Sequence, residues 1–274
     1  MKNKLLNSLM LVALAAPGVA LAEDAEMTKH KEGTHVIPES AHTLSANIGF
    51  TSDYIFRGIS QTSGNPAIQG GFDYGHSSGF YAGVWGSNIS WISDFTPAIS
   101  SSLEIDTYLG FSNDFADGFN YDVGFVRYNY PASNYPAAFT KPDTDEIYGA
   151  VSYQWITAKY SYGLGDFLGV ARARGTSYIE LNASVPLGDS GVTLDGHVGR
   201  QTYKGTGADA LVLAGTPPTY SDYKLSVSKD IGDFSVSLAY SDTNSAGGFY
   251  TTPVASGSRD LSRSATTLSV SRSF

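Results

Sequence analysis

The strongest constraint on this chain is a rhythm. Twelve segments alternate apolar and polar residues one by one, and the connections between them are alternately short and long. A period of two marks strands with one apolar face, because successive side chains point to opposite sides of a sheet. The segments fall at 44–54, 67–75, 80–88, 103–111, 119–130, 147–155, 158–164, 177–185, 192–200, 222–228, 234–241 and 266–274, each bounded by Gly, Asn, Asp, Ser or Pro. The short connections lie at 77–78, 112–118, 156–157, 186–191 and 230–233. The long ones lie at 55–66, 89–102, 131–146, 165–176, 201–221 and 242–265. A soluble β-sandwich has no reason to alternate its connections in this way. The expectation is an all-β fold, a transmembrane antiparallel up-and-down β-barrel of about 12 strands over residues 43–274, with short periplasmic turns and long extracellular loops.

The two ends agree with that reading. Lys2 and Lys4 precede an apolar stretch over 5–16, and Pro17-Gly18 breaks any helix before the A-x-A site Ala20-Leu21-Ala22. Residues 1–22 are therefore expected to be a signal peptide, and 23–42, with Pro38 and three of the five histidines, a flexible periplasmic extension. At the other end Leu268, Val270 and Phe274 would face lipid while Ser269, Ser271 and Ser273 face the lumen. A closing strand with a terminal aromatic resembles the assembly signal of bacterial outer-membrane proteins, although Arg272 stands where that signal usually carries an aromatic. The expected location is the bacterial outer membrane with both termini periplasmic. Outer-membrane lipid, the barrel-assembly machinery and small solutes are the expected partners.

Composition excludes several classes. Without cysteine there is no disulfide framework and no thiolate metal site. A net charge of -9 argues against nucleic acid as a partner. Phosphate-cradling glycine loops are absent too, and no cofactor is expected. Gly 30, Tyr 18 and Phe 14 beside 42% hydrophobic residues suit a barrel with a wet interior better than a packed soluble core.

If the apolar sets face lipid, the residues between them line the lumen: Asn47, Asp73, Glu104, Asp106, Asp122, Glu180, Asn182, Asp195, His197 and Lys224. Acidic groups predominate, so a pore should prefer cations or accept neutral and zwitterionic solutes, with Arg127, Lys159, Arg200 and Lys224 available to neutralise some carboxylates. Arg57 has two readings. It is a constriction or solute-binding cation beside Asp53 and Asp73, or a buried ion pair that clamps a loop, the commoner fate of such a guanidinium. Tyr54, Phe56, Trp91, Tyr128, Tyr130 and Trp155 fit two interfacial girdles, with ordinary strand packing as the alternative. The loops over 201–221 and 242–265 are long enough to fold inward.

Hydrolytic chemistry has two candidates, and both have plainer explanations. His76-Ser77-Ser78-Gly79 sits where a tight turn wants Ser and Gly, and His197 beside Asp195 is more simply a lumen histidine held by a carboxylate. His30, His35 and His42 with Glu32 and Glu39 are too irregularly spaced to define a metal site.

The stretch Ser52-Asp-Tyr-Ile-Phe-Arg-Gly-Ile-Ser-Gln-Thr62, then Pro66, Gln69-Gly-Gly-Phe-Asp-Tyr74 and Ser78-Gly-Phe-Tyr-Ala-Gly-Val-Trp-Gly-Ser-Asn88, resembles the proteobacterial family known as Gcw_chp, the TorF-type porins. The resemblance implies an outer-membrane barrel with channel activity and supplies no catalytic or binding residues. The expected function is passive diffusion of small hydrophilic solutes. A structural or adhesive barrel with a closed lumen is the alternative, and an outer-membrane hydrolase a more distant one.

Overall fold

The computed structural model describes residues 40–274 apart from Ser133, Ala138, Ala246, Ala255 and Ser256. The expected signal peptide and nearly all of the extension, with His30 and His35, lie outside those residues. Twelve antiparallel strands close into one barrel. They are β1 His42–Thr51, β2 Ala67–His76, β3 Phe80–Asn88, β4 Leu103–Ala116, β5 Phe119–Asn129, β6 Thr144–Tyr153, β7 Ile156–Gly163, β8 Ser177–Pro186, β9 Val192–Thr202, β10 Tyr220–Ile231, β11 Phe234–Thr243 and β12 Ala265–Ser273. Each pairs with its neighbours in the chain. Strand β12 closes on β1 with Asn47 opposite Ser273 and Thr51 opposite Ser269. Phe274 prolongs the seam, its N–H donating to the Ala46 carbonyl at 2.8 Å.

Two turns are tighter or shifted relative to the sequence reading. Strand β4 runs on to Ala116 through a bulge between Asp114 and Ala116, so the turn after it is only Asp117-Gly118. Ser112, Asn113 and Asp114 look like turn residues, but polar side chains are tolerated in a strand that extends beyond its apolar belt. The next turn is Gln154-Trp155, with Gln154 at φ 51°, and Ile156 and Thr157 already belong to β7.

The outer surface is apolar all round. Leu44 (80% exposed), Phe72 (68%) and Leu225 (66%) lie on it with Ile48, Leu109, Val151, Leu181 and Leu268, a distribution rare in water-soluble monomers and natural against lipid. Among the described residues no helix is long and apolar enough to cross a membrane, a test that does not bear on strands. Around the turn end the exposed aromatics Phe80, Phe115, Phe119, Tyr153, Trp155, Phe234 and Phe274 form a rim. Of the residues expected in the girdles only Trp155 is there. Tyr54, Phe56, Tyr128 and Tyr130 are buried inside the barrel, because Tyr128 shares the inward parity of Asp122 and Tyr54 and Phe56 leave the wall with their loop. Arg272 points outward and pairs with Asp233 at 2.8 Å, its guanidinium over the rings of Phe234 and Phe274. A stacked, paired guanidinium is compatible with an interfacial slot.

At the loop end the long connections form a lid. It includes the short helix α1 Trp91–Phe95, the helix α2 Thr206–Leu213 and a hairpin of Thr251–Val254 with Gly257–Asp260. The lid has apolar cores of its own, among them Phe167, Val170, Ala173, Tyr203 and Ala208, and Ile59, Tyr220, Tyr250 and Leu261.

Candidate functional site

Loop 1, residues 52–66, does not project outward but folds into the barrel. Ile55–Phe56 pairs with Ile59–Ser60, leaving Arg57-Gly58 as a two-residue turn with φ 47° and 78°. Positive φ at both positions is the geometry of tight hairpins, and glycine supplies the second at no steric cost. Asp53 holds the base of the hairpin, accepting from the Ser60 hydroxyl at 2.6 Å and the Thr62 hydroxyl at 2.9 Å. At the tip a Cβ on Gly58 would lie 2.7 Å from both Asp222 Cβ and Thr243 Cγ2, so the hairpin touches the wall at β10 and β11. Of the two readings of Arg57, the structure selects the clamp. The loops over 201–221 and 242–265, long enough to fold inward, build the lid above it.

Arg57 donates from Nη1 to Glu146 Oε1 at 3.0 Å and from Nη2 to Oε2 at 2.8 Å, a bidentate pair, and from Nη1 to Gln201 Oε1 at 3.0 Å. Its guanidinium lies over Phe56 and Tyr178, 4.9 and 4.3 Å from their centroids. The side chains of Arg57 and Glu146 are 6% and 0% exposed. Burial opposes the charge on Arg57, and the Glu146 carboxylate overcomes it, holding the guanidinium pKa well above the ordinary arginine value. Tyr128 donates to Glu146 Oε2 at 3.2 Å, and Tyr220 donates to the Arg57 carbonyl at 2.8 Å.

All the carboxylates expected in the lumen do face it. Glu104 accepts from Tyr54 at 3.4 Å; its other oxygen and both oxygens of Asp106 are buried without a hydrogen-bond partner among the described residues. Asp73 accepts from Tyr108, and Asp122 from Tyr81 at 2.6 Å. Glu180 accepts from Asn182 at 2.9 Å, and its cross-strand neighbour is Lys159. Asp195 accepts from Ser184 at 2.7 Å and Ser226 at 3.3 Å. The His197 ring nitrogens face Asn182 Oδ1 at 2.6 Å and Asp222 Oδ2 at 3.0 Å, and Tyr178 donates to Asp222 at 2.9 Å. The partner of His197 is thus Asp222 on the next strand rather than Asp195 on its own. Glycines let these tyrosines lie flat: any Cβ at Gly83, Gly110, Gly124 or Gly199 would collide with Tyr108, Tyr81, Tyr148 or Tyr178.

Two expected counter-charges are not in the lumen. Arg127 and Arg200 occupy outward positions, where Arg127 pairs with Asp145 at 2.9 Å and Arg200 donates to Ser221 at 3.2 Å. The inward basic residues of the wall are Lys159, whose ammonium sits 4.2 Å from the Tyr148 ring centroid, and Lys224. The near-hydrolytic tetrapeptide is a turn: His76 Nδ1 accepts from the Ser78 N–H and meets the Ser78 hydroxyl at 2.8 Å.

The rest of the wall is chemically different. Strands β11, β12 and β1 turn Ser235, Ser237, Ser241, Thr267, Ser269, Ser271, Ser45 and Thr51 inward, with no charge among them. Exposure grows towards the turn end: Thr267 is buried, Ser269 half-buried, and Ser271 and Ser273 exposed. Along this wall the side chains are buried at the level of loop 1 and exposed towards the turn end.

Sequence reading missed Glu146, Gln201, Tyr178 and Asp222. Glu146 ends the connection over 131–146 in the sequence reading, although Thr144, Glu146, Tyr148 and Ala150 continue one inward phase.

Apolar outside, with charged, hydroxyl and aromatic side chains and a clamped loop inside, this is a closed twelve-stranded barrel of the membrane-spanning type. The chain belongs to the Gcw_chp family, described as a bacterial protein of unknown function, whose model matches residues 35–274. No curated protein matches the chain. Solved structures similar to it include a KdgM porin (8% identity, 84% of this chain and 99% of that chain, TM-score 0.48). LpxR from Salmonella typhimurium is similar at 11% identity, 84% and 99% coverage and TM-score 0.41. OprD from Pseudomonas aeruginosa is similar at 13% identity, 86% and 67% coverage and TM-score 0.36.

Proposed function

We propose that the protein is an outer-membrane channel of the porin kind for small hydrophilic solutes, with loop 1 as its constriction. The observation that carries this reading is a closed, apolar-faced barrel with charged and hydroxyl side chains turned inward, into which a single hairpin folds against an aromatic cluster of Tyr54, Phe56, Trp85, Tyr128 and Tyr130. The apolar belt faces outer-membrane lipid. The strand bearing Leu268, Val270 and Phe274 is the part the barrel-assembly machinery would engage. Strand β1 starts and strand β12 ends at the barrel end that carries the short turns, so a periplasmic turn end makes both chain termini periplasmic.

Solutes pass along the hydroxyl-lined wall of β11, β12 and β1 once loop 1 moves. Asp73, Glu104, Asp106, Asp122, Glu180 and Asp195 line the remaining wall with Lys159 and Lys224 as its basic residues, so cations, neutral molecules and zwitterions are favoured over anions. The test is the reversal potential of the folded protein in a planar bilayer under a KCl gradient. A cation-selective potential supports the reading, and anion selectivity contradicts it.

A second reading, a structural barrel with a permanently closed lumen, draws support from the burial of Arg57 and Glu146. It requires that no loop 1 variant conducts.

A further inference from the structure

One cavity at the loop end takes no part in the Arg57 clamp. It has a volume of about 350 Å³, within the range of small-molecule sites, and lies between loop 1 and the connection from β11 to β12. Asp53, Ser60 and Ser63 line it on one side, and Arg259, Asp260 and Arg263 on the other. Two guanidiniums and two carboxylates thus line one cavity, yet among the described residues no ion pair involves any of the four.

The carboxylates are held by other groups. Asp53 Oδ1 accepts from the Ser60 and Thr62 hydroxyls, and Asp260 Oδ1 from the Ser262 N–H at 2.9 Å and hydroxyl at 2.6 Å. Oδ2 of each accepts no hydrogen bond among the described residues. Arg259 rests against Gly64, where a Cβ would come 3.1 Å from Nη1. Both carboxylates are thus held by hydroxyls of the surrounding chain and Arg259 by its loop 1 contact, while Arg263 is exposed.

Opposite charges that line one cavity without meeting are complementary to a ligand carrying both signs. The lining has no net formal charge, so neither a plain anion nor a plain cation gains overall. We propose that this cavity binds a small zwitterion of the amino-carboxylate class, such as a free α-amino acid. Arg259 and Arg263 receive the carboxylate, with the planar, multi-donor geometry that suits it. Asp53, Asp260 and the serine hydroxyls receive the ammonium. The proposal rests on the channel reading only in treating the bound molecule as a solute waiting at the entrance.

The test is calorimetric titration of the folded protein in detergent with L-alanine, propionate and ethylamine, the last two carrying one charge each. L-alanine is expected to bind, and each half-molecule to bind about tenfold or more weakly. Arg263→Gln, at an exposed position, is expected to weaken L-alanine binding by about tenfold or more, with heat-modifiable gel mobility as the folding control. Propionate or ethylamine binding as tightly as L-alanine overturns the proposal, as does no binding of L-alanine, or unchanged binding in both Arg263→Gln and Arg259→Gln. Bilayer current on the same preparation separates the two claims. Conduction without L-alanine binding removes only this inference, and L-alanine binding to a silent barrel removes only the channel reading.

Discussion

Arg57 Nη2 lies 2.8 Å from Glu146 Oε2, tying the tip of loop 1 to strand β6 across the lumen. The two residues are 89 positions apart in the chain, and neither side chain has appreciable contact with water. A buried bidentate pair of this kind costs more to break than to omit, since removing one partner strands the other charge. That property suits a clamp whose position is well defined when closed.

Arg57→Ala and Glu146→Ala should each lower the stability of the folded barrel by about 3–5 kcal/mol, and the double variant by less than the sum. Reversible urea unfolding in detergent measures this. Additive losses would mean that the pair is not coupled.

Gly58→Ala adds a Cβ where Asp222 and Thr243 already stand, at φ 78°. Loop 1 should be displaced from the wall at a cost of about 1–3 kcal/mol, and protease cleavage between Ser52 and Pro66 should accelerate. Unchanged protection of that segment would contradict the packing described.

Tyr178→Phe keeps the ring over Gly199 but removes a hydroxyl that donates to Asp222 and meets His197 at 2.8 Å. A loss of about 1–3 kcal/mol is expected. Tyr223→Phe, outside the barrel on the same sheet, is the control and should cost well under that.

Trp155 is 48% exposed on the outer rim while Trp85 is 3% exposed inside. In single-tryptophan variants reconstituted with brominated lipid, Trp155 emission should be quenched and Trp85 emission should not. Equal quenching would place the wrong face of β3 towards lipid.

The barrel was legible in the sequence because its information is local. Alternation of Leu103, Ile105, Thr107 and Leu109 fixes the phase of β4, and with it the inward aim of Glu104 and Asp106. The same parity, applied to β5 and β9, would have put Tyr128 inside and Arg127 and Arg200 outside; reading aromatic and basic residues by type alone obscured this. What sequence could not reveal is which loop enters the lumen. Loop length permits 201–221 and 242–265 to enter as well, but the entry of loop 1 depends on Arg57 finding Glu146, Gln201 and Tyr178 on three separate strands. His197 shows the same limit: its nearest acidic residue in sequence was Asp195, and its hydrogen-bonded one is Asp222.

In the channel reading loop 1, pinned by Glu146, constricts the lumen. Single-channel recording of the native protein and Glu146→Gln in planar bilayers decides this. Native protein should give small or brief openings, and Glu146→Gln a unitary conductance several-fold larger with cation selectivity retained. Identical silence from both proteins, each shown to be folded, would contradict the constriction and leave a closed structural barrel.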